Sequence, residues 1–377
     1  MKPVENTEGA QSTEGAQSTG GAQSTGAAEN AGPARETKVM KAAIVEKPGV
    51  LVVKEIPLPR VGEYDALCDL LYGATCSGTD QHLIAGRFPW PVSYPTILGH
   101  ESIGRVVRVG ARVRNLRIGD LVSRVGTVAS PDGALSVNWG GFAEYGIARD
   151  HWAMREDGLE PEVWRRFRIQ QVLPPGMDPA AATMIITWRE TLSYVTRMGI
   201  RPGASVLVIG SGGNGLSFVA HAANLGARRI VVVGNARRQD VALAVGATGY
   251  VDYKTESARH LDGFHFIIDA VGKVGALDNV LGLLKPEGTV GIYGIDDYGK
   301  CQIHPHRARG TLTCYSGGYD EKETHDRVIS MIQEGRLRAE LWLDLAHPFL
   351  LEEIDKAIDA VRDRRMIKAL VRLSDDT

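Results

Sequence analysis

Three side chains with zinc-type donor atoms fall in two short stretches of the chain. Cys76 lies in Gly73-Ala-Thr-Cys-Ser-Gly-Thr-Asp-Gln-His82, and His100 and Glu101 close Ile97-Leu-Gly-His-Glu101. A thiolate, an imidazole and a carboxylate are donors that a catalytic zinc accepts. With one position left open, such an ion polarises a carbonyl or steadies the alkoxide charge that hydride transfer creates. Read singly, Cys76 is a small buried residue and His100 a ring satisfied by backbone groups.

A second stretch carries different chemistry. The apolar, β-branched run Val206-Leu-Val-Ile209 reads as a buried strand and ends in Gly210-Ser-Gly-Gly-Asn-Gly215, after which a 3.6-residue apolar period begins. Gly210, Gly212 and Gly215 fit G-x-G-x-x-G, with Gly213 inside the turn. The first glycine permits the tight turn, the second admits a pyrophosphate against the backbone, and the third lets helix pack on strand. The N–H groups at the helix start then face the anion. A second strand, Arg229-Ile-Val-Val-Val-Gly234, ends in Gly234-Asn235-Ala-Arg237-Arg238 with no acidic residue. An acid there would bind the adenosine ribose and repel a 2′-phosphate, whereas guanidinium binds phosphate bidentately. NADP(H) is therefore expected, ahead of NAD(H).

The elements that must position these groups follow from periodicity. Strands are expected at Met40–Glu46, Val50–Ile56, Asp65–Tyr72, Ile103–Val109 and Leu121–Val125, with glycine turns between, which suggests a compact, mostly antiparallel β unit. From Ala180 a helix runs to about Met198. Strand and helix then alternate: a helix at Gln239–Val245, a strand at Phe264–Ala270, a helix at Ala276–Leu284, and strands at Gly288–Gly294 and Thr311–Tyr315. Alternation calls for a parallel sheet covered on both faces, a doubly wound α/β fold. Helices at Glu323–Glu334 and Glu352–Arg362 and a strand at Lys368–Leu373 end the chain. Residues 1–38 repeat Thr-Glu-Gly-Ala-Gln-Ser-like hexads without an apolar anchor, and such composition is expected to be disordered.

The 377 residues suit two domains, and the net charge of −2 gives no electrostatic reason to expect nucleic acid or an anionic membrane as partner. No apolar run reaches the length of a membrane span, and the N-terminus lacks a secretory pattern. The four cysteines at 68, 76, 301 and 314 match no disulfide framework, so a cytoplasmic setting is expected.

Taken together, Gly99-His100-Glu101, the Thr79-Asp80 pair, Gly140-Gly-Phe-Ala-Glu-Tyr145, Arg201-Pro-Gly203 and the glycine turn make residues 40–375 resemble the zinc-type medium-chain dehydrogenase/reductase family. The resemblance implies a GroES-like catalytic domain over 39–186, a Rossmann domain over 187–319, and a segment 320–377 that completes the catalytic domain. It implies that His100 binds a catalytic zinc, that Glu101 is a ligand or close neighbour of it, and that Thr79 and His82 form a proton relay. Arg237, Arg238 and Tyr253 resemble the phosphate-contacting set of bacterial NADP-dependent secondary alcohol dehydrogenases, and Lys368 falls where relatives place a basic pyrophosphate contact. Phe88, Trp90, Trp139, Trp152 and Trp188 lie in segments that line the family's substrate cleft, although packing roles suit each of them.

Two departures stand out. The family usually reads Cys-x-Thr/Ser-Asp, which puts Ser77 at the ligand position and Cys76 one residue early; on a strand that shift turns a side chain to the other face. In Met184-Ile-Ile-Thr-Trp-Arg-Glu190 the family's further ligand is missing, with Glu190 the nearest acid. The cysteine-rich lobe of many relatives is also missing, so no structural zinc is expected. The expectation is an NADP(H)-dependent oxidoreductase that interconverts a secondary alcohol or polyol and its ketone, as a homodimer or homotetramer. A zinc-free NADPH-dependent reductase and a catalytically decayed nucleotide-binding protein stay open as alternatives.

Overall fold

The computed structural model describes residues 39–130 and 132–374; the hexad tail, residues 1–38, lies outside them. The first part of the chain runs β1 (Val39–Lys47), β2 (Val50–Pro57), β3 (Asp65–Ala74), α1 (Thr79–Ile84), β4 (Thr96–Ile97) and β5 (Glu101–Val109). It continues with β6 (Leu121–Ser123), β7 (Ser136–Val137), β8 (Tyr145–Arg149), α2 (His151–Glu156), α3 (Pro161–Trp164), β9 (Gln171–Val172) and α4 (Pro179–Ala182). The long helix α5 (Met184–Met198) leads to β10 (Ser205–Ile209), α6 (Gly213–Asn224), β11 (Arg229–Gly234), α7 (Gln239–Ala244) and β12 (Gly249–Asp252). Then come β13 (Phe264–Asp269), β14 (Leu284–Ile292), β15 (Leu312–Tyr315), α8 (His325–Gln333), β16 (Phe349–Leu350), α9 (Ile354–Arg362) and β17 (Leu370–Arg372).

Three sheets result. A four-stranded sheet, β2-β1-β4-β7, and a seven-stranded sheet built on β16-β17-β3-β5-β6-β9 form the β-rich lobe, with β8 also paired to β3. The C-terminal β17 pairs antiparallel with β3, Leu370 opposite Ala74, so the last residues of the chain complete the sheet that carries the Cys76 loop. The third sheet is parallel, in the order β12-β11-β10-β13-β14-β15. Its direction of winding reverses between β10 and β13, and in such sheets ligands bind at the carboxyl ends of the strands at that point.

Side-chain alternation explains why the parallel sheet needs cover on both faces. Val206 and Val208 of β10 enter the core shared with α5 and α6, while Leu207 and Ile209 enter a separate core with Phe264, Ile267 and Leu281. Helix α5 is the shared wall of the two lobes. It is buried from Met184 through Val195, polar residues included, and ends on Gly199 at φ +91°, whose left-handed backbone closes the last turn.

One expected element is different. Residues 276–284 are not an α-helix; they form turns and a 3-10 turn, Leu281–Leu283, that enters β14 directly. Gly275 lies at φ +81°, Gly282 weakens a helical run, and the Asp278 carboxylate is engaged by His304 and Arg307.

Candidate active site

Strand β3 stops at Ala74, and Thr75 is clamped to Ala369 by two hydrogen bonds. Cys76 therefore lies in the connection beyond the strand, where strand alternation no longer dictates its direction. Its N–H donates to Asp80 Oδ2 at 2.7 Å, which curls the loop into α1. On the facing segment, Gly99 takes φ +87°, and a Cβ there would meet Phe142 N at 2.5 Å. That turn delivers His100 and starts β5 at Glu101. The Sγ of Cys76 and donor atoms of His100 and Glu101 come within 4.8 Å of one another, all buried. Nε2 of His100 is 3.6 Å from Glu101 Oε1, and its Nδ1 is 3.6 Å from Asp80 Oδ1. Burial alone would depress the His100 imidazole, but Asp80 and the Cys76 thiol outweigh it and hold the pKa up at about 10.

Around this cluster is a layer of charge in which the sequence pointed to Lys368 and Glu190 but not to Arg124 or Glu321. Glu101 accepts from Thr187 Oγ1 at 3.0 Å and from Lys368 Nζ at 2.8 Å, with the lysine 2.6 Å from its other oxygen. Lys368 is 2% exposed. Burial opposes its charge, yet Glu101 raises its pKa. Arg124, in the left-handed region at φ 64°, donates to the His100 carbonyl at 2.7 Å and lies 3.2 Å from Glu190 and 3.0 Å from Glu321. Glu190 also accepts from Tyr293 at 2.9 Å, so it faces Arg124 and Tyr293 and is not part of the donor cluster. Arg189 pairs with Glu321 at 2.8 Å. Two arginines thus balance two glutamates, as buried charge requires. Arg124 sits in an apolar strand pattern with no motif to mark it.

Thr79 Oγ1 is 3.7 Å from Cys76 Sγ. His82 Nδ1 is 2.7 Å from the Gly78 carbonyl, and since a carbonyl only accepts, Nδ1 carries the hydrogen and Nε2 is the basic nitrogen. Nε2 faces Asp296 Oδ1 of the other lobe at 3.9 Å. The aromatic residues divide. The Trp139 ring is 5.2 Å from His100, with Phe88 and Trp90 beyond it, whereas Trp152 stacks on His151 and Trp188 meets Trp342 edge-on.

Across the lobe interface the glycine turn follows steric rules. Gly210 has φ +106°, and a Cβ on Gly215 would lie 2.1 Å from the Gly210 carbonyl oxygen. Beside Gly212 the space is open, with Ser77 Oγ of the catalytic lobe 4.0 Å from where a Cβ would stand. A Cβ on Gly213 would be 3.8 Å from Lys368 Nζ, so that lysine stands between the turn and Glu101. A Cβ on Gly234 would strike the Tyr250 hydroxyl at 2.3 Å. Asn235 caps the turn carrying Arg237, accepting from its N–H at 3.1 Å. Arg238 is committed elsewhere: its guanidinium donates to the carbonyls of Arg364 and Met366. Tyr253 accepts from Arg364, at 3.0 Å, a basic neighbour the sequence did not point to.

A GroES-like fold beside a parallel nucleotide-binding sheet, with buried thiol, imidazole and carboxylate at their junction, defines an alcohol dehydrogenase type of protein. Comparison with known proteins agrees. Residues 63–157 match the alcohol dehydrogenase GroES-like domain, and residues 213–332 match the zinc-binding dehydrogenase domain. The chain is 29% identical to L-galactonate-5-dehydrogenase of Escherichia coli over 345 residues, 88% of this chain and 98% of that one. It is also 29% identical to the NADP-dependent isopropanol dehydrogenase of Entamoeba histolytica, over 85% of this chain and 93% of that one. The fold is shared with the alcohol dehydrogenase of Thermus sp. ATN1, at a TM-score of 0.72 and 24% identity over 88% and 99% of the two chains. The chain belongs to the zinc-type medium-chain dehydrogenase/reductase family and is a dehydrogenase acting on CH–OH donors. Among the described residues, no helix is long and apolar enough to cross a membrane.

Proposed function

We propose that the protein interconverts a secondary alcohol or polyol with its ketone, with NADP(H) as hydride partner and a zinc ion at Cys76, His100 and Glu101. The observation that carries this reading is the convergence of those three donors at the lobe junction, opposite the glycine turn. The site suits a cation: the Asp80 carboxylate faces Nδ1 of His100 at 3.6 Å, which leaves Nε2 on the side of Glu101 and the donor cluster. Three protein ligands also leave a position for substrate, as catalytic zinc sites do. Zinc held there would supply a Lewis acid that lowers the pKa of the alcohol.

The chain's own groups do the rest. Thr79 relays the proton, its hydroxyl oxygen accepting the alcohol's hydrogen as its own passes on toward His82, whose basic Nε2 receives it beside Asp296. Thr187 and Lys368 fix the Glu101 carboxylate, and Arg124 holds the His100 backbone. Gly210, Gly212, Gly213 and Gly215 admit the pyrophosphate at the start of α6. With Arg238 pinned, Arg237 and Arg364 beside Tyr253 supply the charge for a 2′-phosphate. The missing acid at the end of β11 and the NADP dependence of the Entamoeba relative support that choice. Four free thiols accord with a cytoplasmic enzyme, and a homodimer or homotetramer is the proposed assembly.

A second reading, a zinc-free NADPH-dependent reductase, draws on Lys368, which already neutralises Glu101. Dialysis against a chelator separates the two. Loss of alcohol oxidation with recovery on adding zinc is expected, and undiminished turnover by a metal-free sample selects the second reading. Competition between cofactors tests the arginines: equal or better turnover with NAD removes that argument.

A further inference from the structure

The peptide that joins His100 to Glu101 carries two of the three donors, one at each end. A peptide unit is planar, so whatever holds its carbonyl oxygen sets the direction of both Cα atoms at once. Arg124 holds it: Nη1 donates to the His100 carbonyl at 2.7 Å. The same guanidinium covers the Trp139 ring at 5.8 Å from its centroid, and that ring lies 5.2 Å from the His100 imidazole. One side chain therefore bears on the backbone of His100 and, through a tryptophan, on its ring.

The position is a costly one for an arginine. Its φ of 64° is left-handed, which side chains disfavour, and the residue is 9% exposed. Nor does stability account for it, because buried ion pairs are often no more stable than apolar residues of the same size. Backbone outliers persist where their surroundings over-determine them, and they gather at functional sites. Around Arg124 the contacts form a chain. Its Nη2 is 3.2 Å from Glu190 Oε1 on α5 and 3.0 Å from Glu321, which Arg189 shares at 2.8 Å. The other Glu190 oxygen accepts from the Tyr293 hydroxyl at 2.9 Å. Tyr293 directly follows β14, and its N–H donates to the carbonyl of Asp269, the last residue of β13, at 2.8 Å. It stands at the carboxyl edge of the parallel sheet, the edge where such sheets bind ligands.

Building on the zinc reading above, we propose that Arg124 and Glu190 are positioning residues for the metal donors, and that Tyr293, Glu190 and Arg124 tie the nucleotide lobe to the His100–Glu101 peptide. Tyr293 holds Glu190, Glu190 aims the guanidinium, and the guanidinium holds the carbonyl. Two arginines cancel two glutamates here, so the chain orients the donors without adding net charge beside a cation.

The test uses the full-length protein. Zinc affinity is read by competition with a chromophoric chelator, and ligand geometry by the visible absorption of the Co2+-loaded protein. Arg124→Lys keeps the charge but loses the planar fork that meets a carbonyl and two carboxylates together. It should weaken zinc binding about ten- to a hundredfold, the range for groups that orient metal ligands, and shift the cobalt bands. Tyr293→Phe removes one hydroxyl on the other lobe and should weaken binding about threefold. The double variant should lose less than the product of the single losses, because both changes cut one chain. If Arg124→Lys does not fold, Glu190→Gln, which keeps size and shape, takes its place. Zinc affinity and cobalt bands that match the parent's, whatever happens to urea stability, overturn the proposal and leave the zinc reading standing; so do losses that simply multiply. A parent protein that binds neither metal removes both.

Discussion

The glycine turn and the donor cluster face each other across one interface, yet they are made by opposite means. Gly210 to Gly215 is a largely local device: one strand, one turn and one helix start, with Gly210 at φ +106° and Gly215 denied a side chain by the Gly210 carbonyl five residues away. The cluster draws on β3, α1, β5, α5 and the C-terminal β17, and its stability rests on pairs such as Lys368–Glu101, 267 residues apart. A local device tolerates changes elsewhere in the chain but not at its own backbone. A convergent one depends on partners that no short stretch contains.

Removing His100 tests the cluster most severely. His100→Ala should lower kcat/KM about ten-thousandfold, roughly 5.5 kcal/mol, and leave NADPH binding in place. Steady-state kinetics with a cofactor titration checks it, and an active variant would detach the cluster from the chemistry. Lys368→Met comes next. It strands the Glu101 carboxylate in a buried site, a loss of about 3–5 kcal/mol in urea unfolding, and Lys368→Arg should recover much of it. If Lys368→Met unfolds like the parent chain, the convergent half of the comparison fails.

On the local side, Gly215→Ala forces a methyl onto the Gly210 carbonyl. The expected cost is about 1–3 kcal/mol, with NADPH binding lost and zinc content retained, read by calorimetry and metal analysis. The smallest effect concerns pH. Burial in α6 holds the His221 pKa down at about 3, below the ordinary value near 6.5. Between those values the unfolded state binds one more proton at this site, so the His221 contribution to stability falls as pH falls, by about 1.4 kcal/mol per pH unit; His151 and His325, held down by burial at about 4, add to the same trend. Urea unfolding at pH 6.5 and 4.5 should show that fall, and His221→Leu should make it shallower without abolishing it; an equal slope in both would mean His221 is not buried neutral.

Much of the fold was legible because its causes are local. The unbroken apolar run Val206–Ile209 marked a buried strand, and the Pro48-Gly49 turn marked the hairpin of β1 and β2. The expected helix at 276–284 misled because side-chain pairing of Asp278 with His304 and Arg307 outweighed a weak helical period. In the site, the donor types were visible but Cys76 looked displaced. It reaches the cluster because β3 ends two residues earlier. Lys368 and Arg238 were read as cofactor contacts. The structure turns Lys368 to Glu101, beside the glycine turn, and Arg238 to the backbone of Arg364 and Met366.

What the sequence determined alone is the set of features that bonded geometry and short-range sterics dictate: the glycine turn, the strand and helix periods, and the donor types at 76, 100 and 101. Only the tertiary structure decided which charges meet. Lys368 finds Glu101, Arg124 finds Glu190 and Glu321, and Tyr298 reaches Trp90 from the other lobe. Those pairings act through space at a few ångströms, and the path of the whole chain sets which side chains come that near.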